Sequence, residues 1–289
     1  MSGKLSNAFT VDVEDYFHVA ALSKAVNPKD WDTYECRVVQ NTNKILQLLD
    51  DSSQTATFFV LGWVAARYPN LVKEIHSCGH EIASHGMSHQ LIYNQSIDEF
   101  RKETVDSKSL LEDLIQSEIL GYRAATYSIT NKSLWALDIL YEAGYKYDSS
   151  IFPMRHDKYG IPDVNHLPHI LTTPSGYKLV EFPISVLKRK LMVVPIAGGG
   201  YFRLFPYNFT KWGLQQSNNA NQPFVFYIHP WELDPEQPQI EGIGRFSKFR
   251  HYNNLNKCEI RLKKLLSDFK FCTMGKVLHS LGLLRVSDT

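Results

Sequence analysis

Short, largely apolar runs alternate with amphipathic stretches along most of the chain. Three early runs predict buried strands, at residues 8–13 (AFTVDV), 55–62 (TATFFVLG) and 80–85 (HEIASH). Residues 37–50 carry apolar side chains at helical spacing, which predicts an amphipathic helix after the first strand. Residues 63–78 predict a second helical stretch, in which Pro69 marks a turn or a new helix start and Gly79 marks the end.

The alternation continues through the rest of the chain. A helix is predicted after Ser96, because a serine followed three residues later by Glu99 is the pattern of a capping box. Another helix is predicted at residues 131–143, and further strands at 119–124, 146–150, 179–185 and 223–230. Strands that alternate with helices at this spacing predict parallel βαβ units and therefore an α/β fold.

Three segments depart from this rhythm. Residues 153–178 are rich in Pro, His and Gly, and residues 192–210 contain a run of three glycines, so both are predicted to be loop insertions. Residues 253–285 carry a helical pattern and are predicted to form a C-terminal helical cover rather than a separate domain. We therefore expect one domain over residues 1–289.

Composition narrows the class of protein. With 31 basic and 30 acidic residues the chain has a net charge of +1, which gives no electrostatic reason to predict a nucleic-acid partner. The four cysteines are scattered, so neither a disulfide framework nor a thiolate zinc site is predicted. The sequence has no signal-peptide pattern and no apolar stretch of the ~20 residues that a membrane span needs, so we expect a soluble cytoplasmic protein.

Polar side chains follow five of the predicted strands at the point where each strand ends. They are Asp12, Glu14, Asp15, His85, His89, Arg123, Asp148 and His229. The carboxyl ends of parallel strands share one edge of a sheet or barrel, and active sites of α/β folds are built at that edge. The sequence therefore predicts a functional site formed by these residues.

The pair His85 and His89 has the spacing HxxxH, which in a helix would place both imidazoles on one face. On its own this spacing also fits two hydrogen-bonded histidines without a metal. Three carboxylates in residues 12–15 (DVED) could likewise be a solvated loop or a helix cap. Close carboxylates repel unless a cation or a shared proton relieves them, so the two segments together predict a divalent metal site with one carboxylate acting as base.

The remaining strand ends suggest acid–base roles. Arg123 fits a surface residue and Asp148 fits a helix cap, but an arginine–carboxylate pair would also fix side chains and pKa values near a catalytic acid. His229 follows an apolar strand, so it fits either a buried structural histidine or a general acid.

These segments resemble the polysaccharide deacetylases of carbohydrate esterase family 4, in particular a bacterial branch encoded near exopolysaccharide, O-antigen and exosortase genes. The resemblance covers about residues 9 to 252 in the family's order. Its motifs are FTVDVEDYFHV (9–19), TATFFVLGWVAARYP (55–69), GHEIASHGMSH (79–89), GYRAATYSIT (121–130), YDSSIFP (147–153), GGGYFRLFPY (198–207) and FYIHPWELDPEQP (226–238).

The resemblance implies a role for each residue. Asp12 corresponds to the catalytic base, His85 and His89 to metal ligands, and Arg123 to the arginine that braces the base. Asp148 matches the aspartate that pairs with that arginine or tunes the acid. His229 matches the general acid.

Two positions depart from the family pattern. Val13 replaces the second of two adjacent aspartates, so the third metal ligand is either Glu14 or Asp15, and Glu14 shares a strand face with Asp12. Ala125 stands where the arginine motif usually has proline.

The implied fold is a distorted (β/α) barrel of about seven strands. The implied reaction removes an N-acetyl or other N-acyl group from an amino sugar with a divalent metal, zinc before Co²⁺, Ni²⁺ or Mn²⁺. Substrates consistent with it are an N-acetylated amino sugar in a nucleotide sugar, a lipid-linked glycan or a polysaccharide. The alternatives are an amidohydrolase acting on a non-sugar C–N bond and an inactive carbohydrate-binding relative.

Overall fold

A mostly parallel β-sheet forms the centre of the molecule. The computed structural model describes residues 5–156, 159–189 and 192–285. Its strands are β1 (Ser6–Val13), β2 (Thr57–Val60), β3 (Glu81–Ser84), β4 (Gly121–Tyr122), β5 (Tyr147–Asp148), β6 (His169–Thr172), β7 (Lys178–Glu181), β8 (Val186–Arg189), β9 (Met192–Pro195), β10 (Val225–Ile228) and β11 (Lys270–Cys272).

The main sheet has the strand order β10-β1-β2-β3-β4-β5-β7-β6. Within the described residues, seven of these strands run parallel, and β6 pairs antiparallel with β7 at the edge. Irregular backbone joins the two ends of the parallel run. The N–H of Val225 donates to the Ser185 hydroxyl at 2.9 Å, and the N–H of Tyr227 donates to the carbonyl of Ala197 at 2.8 Å. The predicted distorted barrel of about seven strands is therefore confirmed.

Ten α-helices connect and cover the strands in the part of the chain that the structure describes. They are α1 (Val38–Asp51), α2 (Gly62–Arg67), α3 (Pro69–Ser77), α4 (Ile97–Ile115), α5 (Ala136–Glu142), α6 (Gly199–Leu204), α7 (Tyr207–Asn219), α8 (Arg245–Tyr252), α9 (Leu255–Asp268) and α10 (Met274–Ser280). The helical stretch predicted at 63–78 is divided at Pro69, which begins α3. The predicted capping box is present, with the Ser96 hydroxyl accepting from the N–H of Glu99. None of the described helices is long and apolar enough to cross a membrane.

The predicted helical cover at 253–285 is wrong in one part. It contains α9 and α10, but between them β11 enters the sheet in parallel with the start of β1. Phe271 of β11 packs edge-on against Phe9 and Phe224, with ring centroids 5.4 and 5.8 Å apart. A three-residue strand is too short for its period to be recognised, so only this packing reveals it.

The two predicted loop insertions also contain regular structure. Residues 153–178 include β6, and residues 192–210 include α6 and β9, which forms a hairpin with β8. These elements lie after β5, in the half of the chain where the βαβ rhythm is lost.

Candidate active site

The first strand brings two carboxylates into one cleft. Asp12 lies opposite Phe59 of β2, and Glu14 follows two residues later, with its N–H donating to the carbonyl of Asp12 at 3.0 Å. Both side chains are buried and line a cleft of about 380 Å³. A charged group buried to this degree needs a partner, and each carboxylate has a different one.

Asp12 is paired with Arg123, a fully buried residue that follows β4. Nη1 of Arg123 donates to Oδ1 of Asp12 at 2.6 Å and to the Thr10 hydroxyl at 2.8 Å. Nε and Nη2 donate to the carbonyl and hydroxyl of Ser149, and the guanidinium stacks 4.0 Å from the centroid of Phe59. Donors in fixed directions hold the carboxylate in place and leave its Oδ2 atom facing the cleft.

Glu14 belongs to a different cluster, together with His85 and His89. One ligand atom from each residue lies within 4.8 Å of the other two. Nε2 of His89 is 2.5 Å from Oε2 of Glu14, and that buried oxygen has no hydrogen-bond partner among the described residues. An unpartnered buried carboxylate oxygen facing two imidazoles is the arrangement that a divalent cation would satisfy.

The two histidines come together through a loop rather than a helix. The segment after β3 turns at Gly86, where φ is +74°, and His89 itself has φ of +55°. The HxxxH spacing therefore acts through a tight loop and not through the face of a helix, and it still brings both rings to one point. Gly86 suits this turn because a glycine adopts positive φ without a steric cost. Nδ1 of His85 lies 2.8 Å from the carbonyl of Arg123, which directs its Nε2 atom away from that carbonyl.

The charges of this cluster fit ligand chemistry. Burial lowers the pKa of His85 to about 4, so the imidazole is neutral and has a free electron pair at neutral pH. Burial works to raise the pKa of Glu14, but the adjacent His89 imidazole outweighs it and the pKa is lowered. The set therefore combines an ionised carboxylate with a neutral imidazole, as zinc sites require.

Asp15, the alternative third ligand, lies outside this cluster. Its Oδ2 atom accepts from the backbone N–H of Arg37 at 2.5 Å and of Val38 at 2.8 Å, and Oδ1 accepts from the N–H of Tyr16 at 2.8 Å. Asp15 therefore caps the start of α1 and the turn after β1. The strand alternation that placed Glu14 with Asp12 separates Asp15 from both.

The opposite wall carries His229, at the end of β10. Its Nε2 atom lies 3.5 Å from Oε1 of Glu14 and 3.9 Å from Oδ2 of Asp12. Its Nδ1 atom lies 2.8 Å from Oε1 of Glu232. Burial disfavours the imidazolium, but the hydrogen bond to Glu232 and the charge of Glu14 outweigh it and raise the pKa of His229 to about 9. His229 is therefore protonated at neutral pH, with Nε2 directed toward the two carboxylates.

Glu232 is itself held by a buried arginine that sequence reasoning missed. Nε of Arg203 donates to Oε2 of Glu232 at 2.6 Å, and its other nitrogens donate to the carbonyls of Arg250, His251 and Asn253. Burial works to raise the pKa of Glu232, but Arg203 and His229 lower it to about 2. The spacing of His229 and Glu232 in HPWE could have indicated their contact, because residues i and i+3 face each other in a turn. The role of Arg203 in the GGGYFR segment had no such local signal.

Asp148, which the resemblance implied either pairs with Arg123 or tunes the acid, makes its hydrogen bonds to Ser150 and Glu181. Its Oδ1 and Oδ2 atoms accept from the hydroxyl and N–H of Ser150 at 2.5 and 3.2 Å, and it shares a hydrogen bond with Glu181. Burial raises the pKa of Asp148 to about 6 and that of Glu181 well above its usual value. The two carboxyls therefore form a buried, proton-sharing pair beneath the arginine.

Family comparison accounts for both halves of the chain. Residues 30–147 match the model of the polysaccharide deacetylases, and residues 149–279 match a domain of unknown function (DUF3473). The first match confirms the resemblance to the polysaccharide deacetylases that the sequence indicated, over residues 30–147. His85 and Arg123, on one side of the cleft, fall in the first matched region. His229 on the opposite side falls in the second, together with Glu232 and Arg203.

Curated relatives align with only part of the chain. A peptidoglycan-N-acetylglucosamine deacetylase from Bacillus cereus is 34% identical over 79 residues, which is 27% of this chain and 37% of the relative. A chitooligosaccharide deacetylase from Bradyrhizobium is 27% identical over 99 residues, 34% of this chain and 43% of the relative. The chain thus spans less than half the length of these relatives.

Solved structures match almost the whole chain. A candidate polysaccharide deacetylase from Mycobacterium smegmatis has a TM-score of 0.61 at 17% identity, covering 98% of this chain and 93% of its own. Puue allantoinase has a TM-score of 0.62 at 13% identity, covering 99% and 94%. At these identities the matches establish the shared fold alone.

Proposed function

We propose that this chain is a metal-dependent hydrolase that removes an N-acetyl or other N-acyl group from an amino sugar, in a surface glycan or its biosynthetic precursor. One observation carries the proposal. A base candidate, a set of metal ligands and an acid candidate face one another in a single cleft. The choice of an N-acetylated sugar as substrate is supported by the match of residues 30–147 to the polysaccharide deacetylases. It is also supported by the relatives named as deacetylases of peptidoglycan and chitooligosaccharide.

Glu14, His85 and His89 would hold the divalent ion, with zinc the best fit to two imidazoles and one carboxylate. When bound, such an ion would supply Lewis-acid activation of water and of the amide carbonyl. The hydrogen bond from His85 to the carbonyl of Arg123 orients that ring before any ligand binds.

Asp12 would act as general base. Arg123 holds its carboxylate in a fixed position, and Oδ2 lies 3.5 Å from the Tyr127 hydroxyl at the cleft surface. As one water molecule attacks the amide carbon, its proton passes to Asp12. Because the arginine is fully buried and its donors are engaged, the carboxylate stays in place during this transfer.

His229 would act as general acid. Its imidazolium presents Nε2 to the space above Asp12 and Glu14, while Nδ1 is held by Glu232. When the C–N bond breaks, the amine nitrogen takes a proton from Nε2. The products are a free amino sugar and a carboxylic acid, which is acetate for an N-acetyl substrate.

The proposal is tested by measuring acetate release from the purified, zinc-loaded protein. The substrates are N-acetylglucosamine oligomers, UDP-N-acetylglucosamine and a lipid-linked N-acetylated sugar, with allantoin and a peptide amide in parallel. We expect acetate from at least one sugar and at least about 10²-fold slower release by the Asp12→Asn variant. The exposed Glu236→Gln variant serves as a matched control that keeps activity.

The outcome separates three functions. Hydrolysis of the ureide or the peptide in place of acetate release would identify a different amidohydrolase. Sugar binding without release of any acetate by the zinc-loaded protein would identify a carbohydrate-binding role, and would contradict the proposed reaction.

A further inference from the structure

Two aromatic side chains protrude from α8 at the mouth of the cleft. Phe246 is 72% exposed and Phe249 is 54% exposed, and nearby Leu204 of α6 is 46% exposed. Phe249 and Leu204 line the same shallow recess, so the three form one apolar patch. Exposed apolar clusters of this kind are costly in water and are typical of interaction sites.

Basic residues flank this patch. At 3.6 residues per turn, Phe246 and Phe249 project roughly 60° apart, with Arg245 on one side and Arg250 on the other. Arg245, Lys248 and Arg250 are exposed, and residues 242–258 contain no acidic residue. Within the described residues, none of the recorded ion pairs involves Arg245 or Lys248.

The patch is continuous with the cleft. Phe246 and Arg250 line the cleft itself, and Arg250, Tyr159 and Tyr227 line both the cleft and the recess beside it. The backbone of α8 is fixed to the catalytic wall, because the carbonyls of Arg250 and His251 accept from Arg203. A surface that binds α8 would therefore meet the opening of the cleft.

We propose that α8 and Leu204 form a docking surface for an anionic lipid bilayer. Apolar Phe and Leu side chains flanked by Arg and Lys are the chemistry of peripheral membrane attachment, with the rings in the interface and the cations at the anionic headgroups. An acidic protein would complement the charges but would not explain protruding phenylalanines beside them. Resting on the proposed function, this surface would present the cleft to an N-acetylated sugar carried on a membrane lipid.

The test is co-sedimentation of the full chain with vesicles. One preparation contains phosphatidylcholine alone and the other roughly one-third phosphatidylglycerol. We expect binding to the anionic vesicles at low salt that weakens as salt rises, because the headgroup attraction is screened. The variant Phe246→Ser/Phe249→Ser should bind at least about tenfold more weakly. The variant Arg245→Gln/Lys248→Gln should lose about fivefold per cation removed.

Ile170→Ser provides the matched control, because Ile170 is 55% exposed on β6 and lies outside the patch. It should bind like the unmodified chain, and thermal unfolding should show that all variants fold. Absence of binding to anionic vesicles at low salt, or equal binding by all variants, would overturn the proposal. Retention on chitin that only the double-phenylalanine variant loses, without vesicle binding, would assign the patch to a glycan instead.

Vesicle binding requires no turnover. Vesicle binding can therefore be absent while acetate is released from soluble sugars, and vesicle binding can be present while no acetate is released. The docking surface and the proposed reaction are thus tested separately.

Discussion

On one wall of the cleft the functional side chains project directly from strand ends, whereas on the other wall a chain of buried ion pairs holds them. Asp12 lies near the end of β1, and His85 and Arg123 directly follow β3 and β4 of the same parallel sheet, so sheet register brings them to one edge. The His229 ring is held by Glu232. Glu232 is held in turn by Arg203 of α6, which lies 29 residues before it in the chain. The first wall is fixed by backbone pairing, and the second by side-chain electrostatics. The two walls should therefore fail in different ways when they are altered.

The largest effect is expected on the strand-end wall. Asp12→Asn keeps the shape of the side chain and removes the proton acceptor, so turnover should fall by about 10²–10⁴-fold. Metal content should stay unchanged, because Asp12 lies outside the ligand set. Acetate release and metal analysis on the same sample measure both quantities. A variant with normal turnover would show that the proton goes elsewhere.

The next effect concerns the two neighbouring carboxylates Glu14 and Asp15. Glu14→Gln should weaken zinc binding by roughly 100-fold or more, because a neutral amide is a poor zinc ligand. Asp15→Asn should retain zinc but lower the midpoint of thermal unfolding, because it weakens the acceptor for the N–H groups of Arg37 and Val38. Titration with a zinc indicator and a thermal scan compare the two. Zinc loss in Asp15→Asn alone would reverse the ligand assignment.

A smaller effect is expected on the ion-pair wall. Glu232→Gln removes the carboxylate that raises the pKa of His229, so that pKa should fall. The alkaline limb of the activity profile should then move to lower pH, and turnover should drop by roughly 10–100-fold. The profile of kcat/KM against pH measures this, with exposed Glu236→Gln as control. An unmoved alkaline limb in the folded variant would exclude His229 as the acid that the limb reports.

The smallest effect is expected at the buried carboxyl pair of Asp148 in β5 and Glu181 in β7. Because the folded-state pKa of Glu181 is raised, the unfolded chain releases this proton first as pH rises. The free energy of unfolding should therefore fall from about pH 4.5 upward. Glu181→Gln should flatten that slope and stabilise the protein at neutral pH by on the order of 1 kcal/mol. Urea unfolding of both chelator-treated proteins across pH 5–8 measures the difference, and parallel slopes would contradict it.

The contrast between the walls also explains how much the sequence could predict. Strand ends are found from local patterns, and parallel pairing then brings Asp12, Glu14, His85 and Arg123 together. The HxxxH spacing left the path of the segment open, because the same spacing fits a helix and a tight loop, and only the positive φ of Gly86 and His89 distinguishes them. Local patterns identify strand ends but not the route of the backbone between ligands.

Long-range side-chain pairing lay beyond the reach of the sequence. An arginine in an aromatic segment reads as a surface residue, yet Arg203 is 1% exposed because four hydrogen bonds compensate its burial. Asp148 illustrates a related case, because it shares a hydrogen bond with a second carboxyl, Glu181, that no local pattern pairs with it. Such pairs form only in the packed fold, so no regular spacing in the sequence predicts them.

Strand β1 pairs with the early strand β2 on one edge and with the much later strand β10 on the other, and this has a consequence for biosynthesis. Thr10 of β1 donates a hydrogen bond to Phe226 of β10, 216 residues further along the chain. At ribosomal speeds of 5–20 residues per second, β1 would wait roughly 10–40 s with one edge unpaired. Non-local pairing of this kind also slows folding after release. The strand that carries Asp12 is thus synthesised before the other described strands and is one of the last to be completed, and its open edge is the segment that a nascent chain must protect from aggregation.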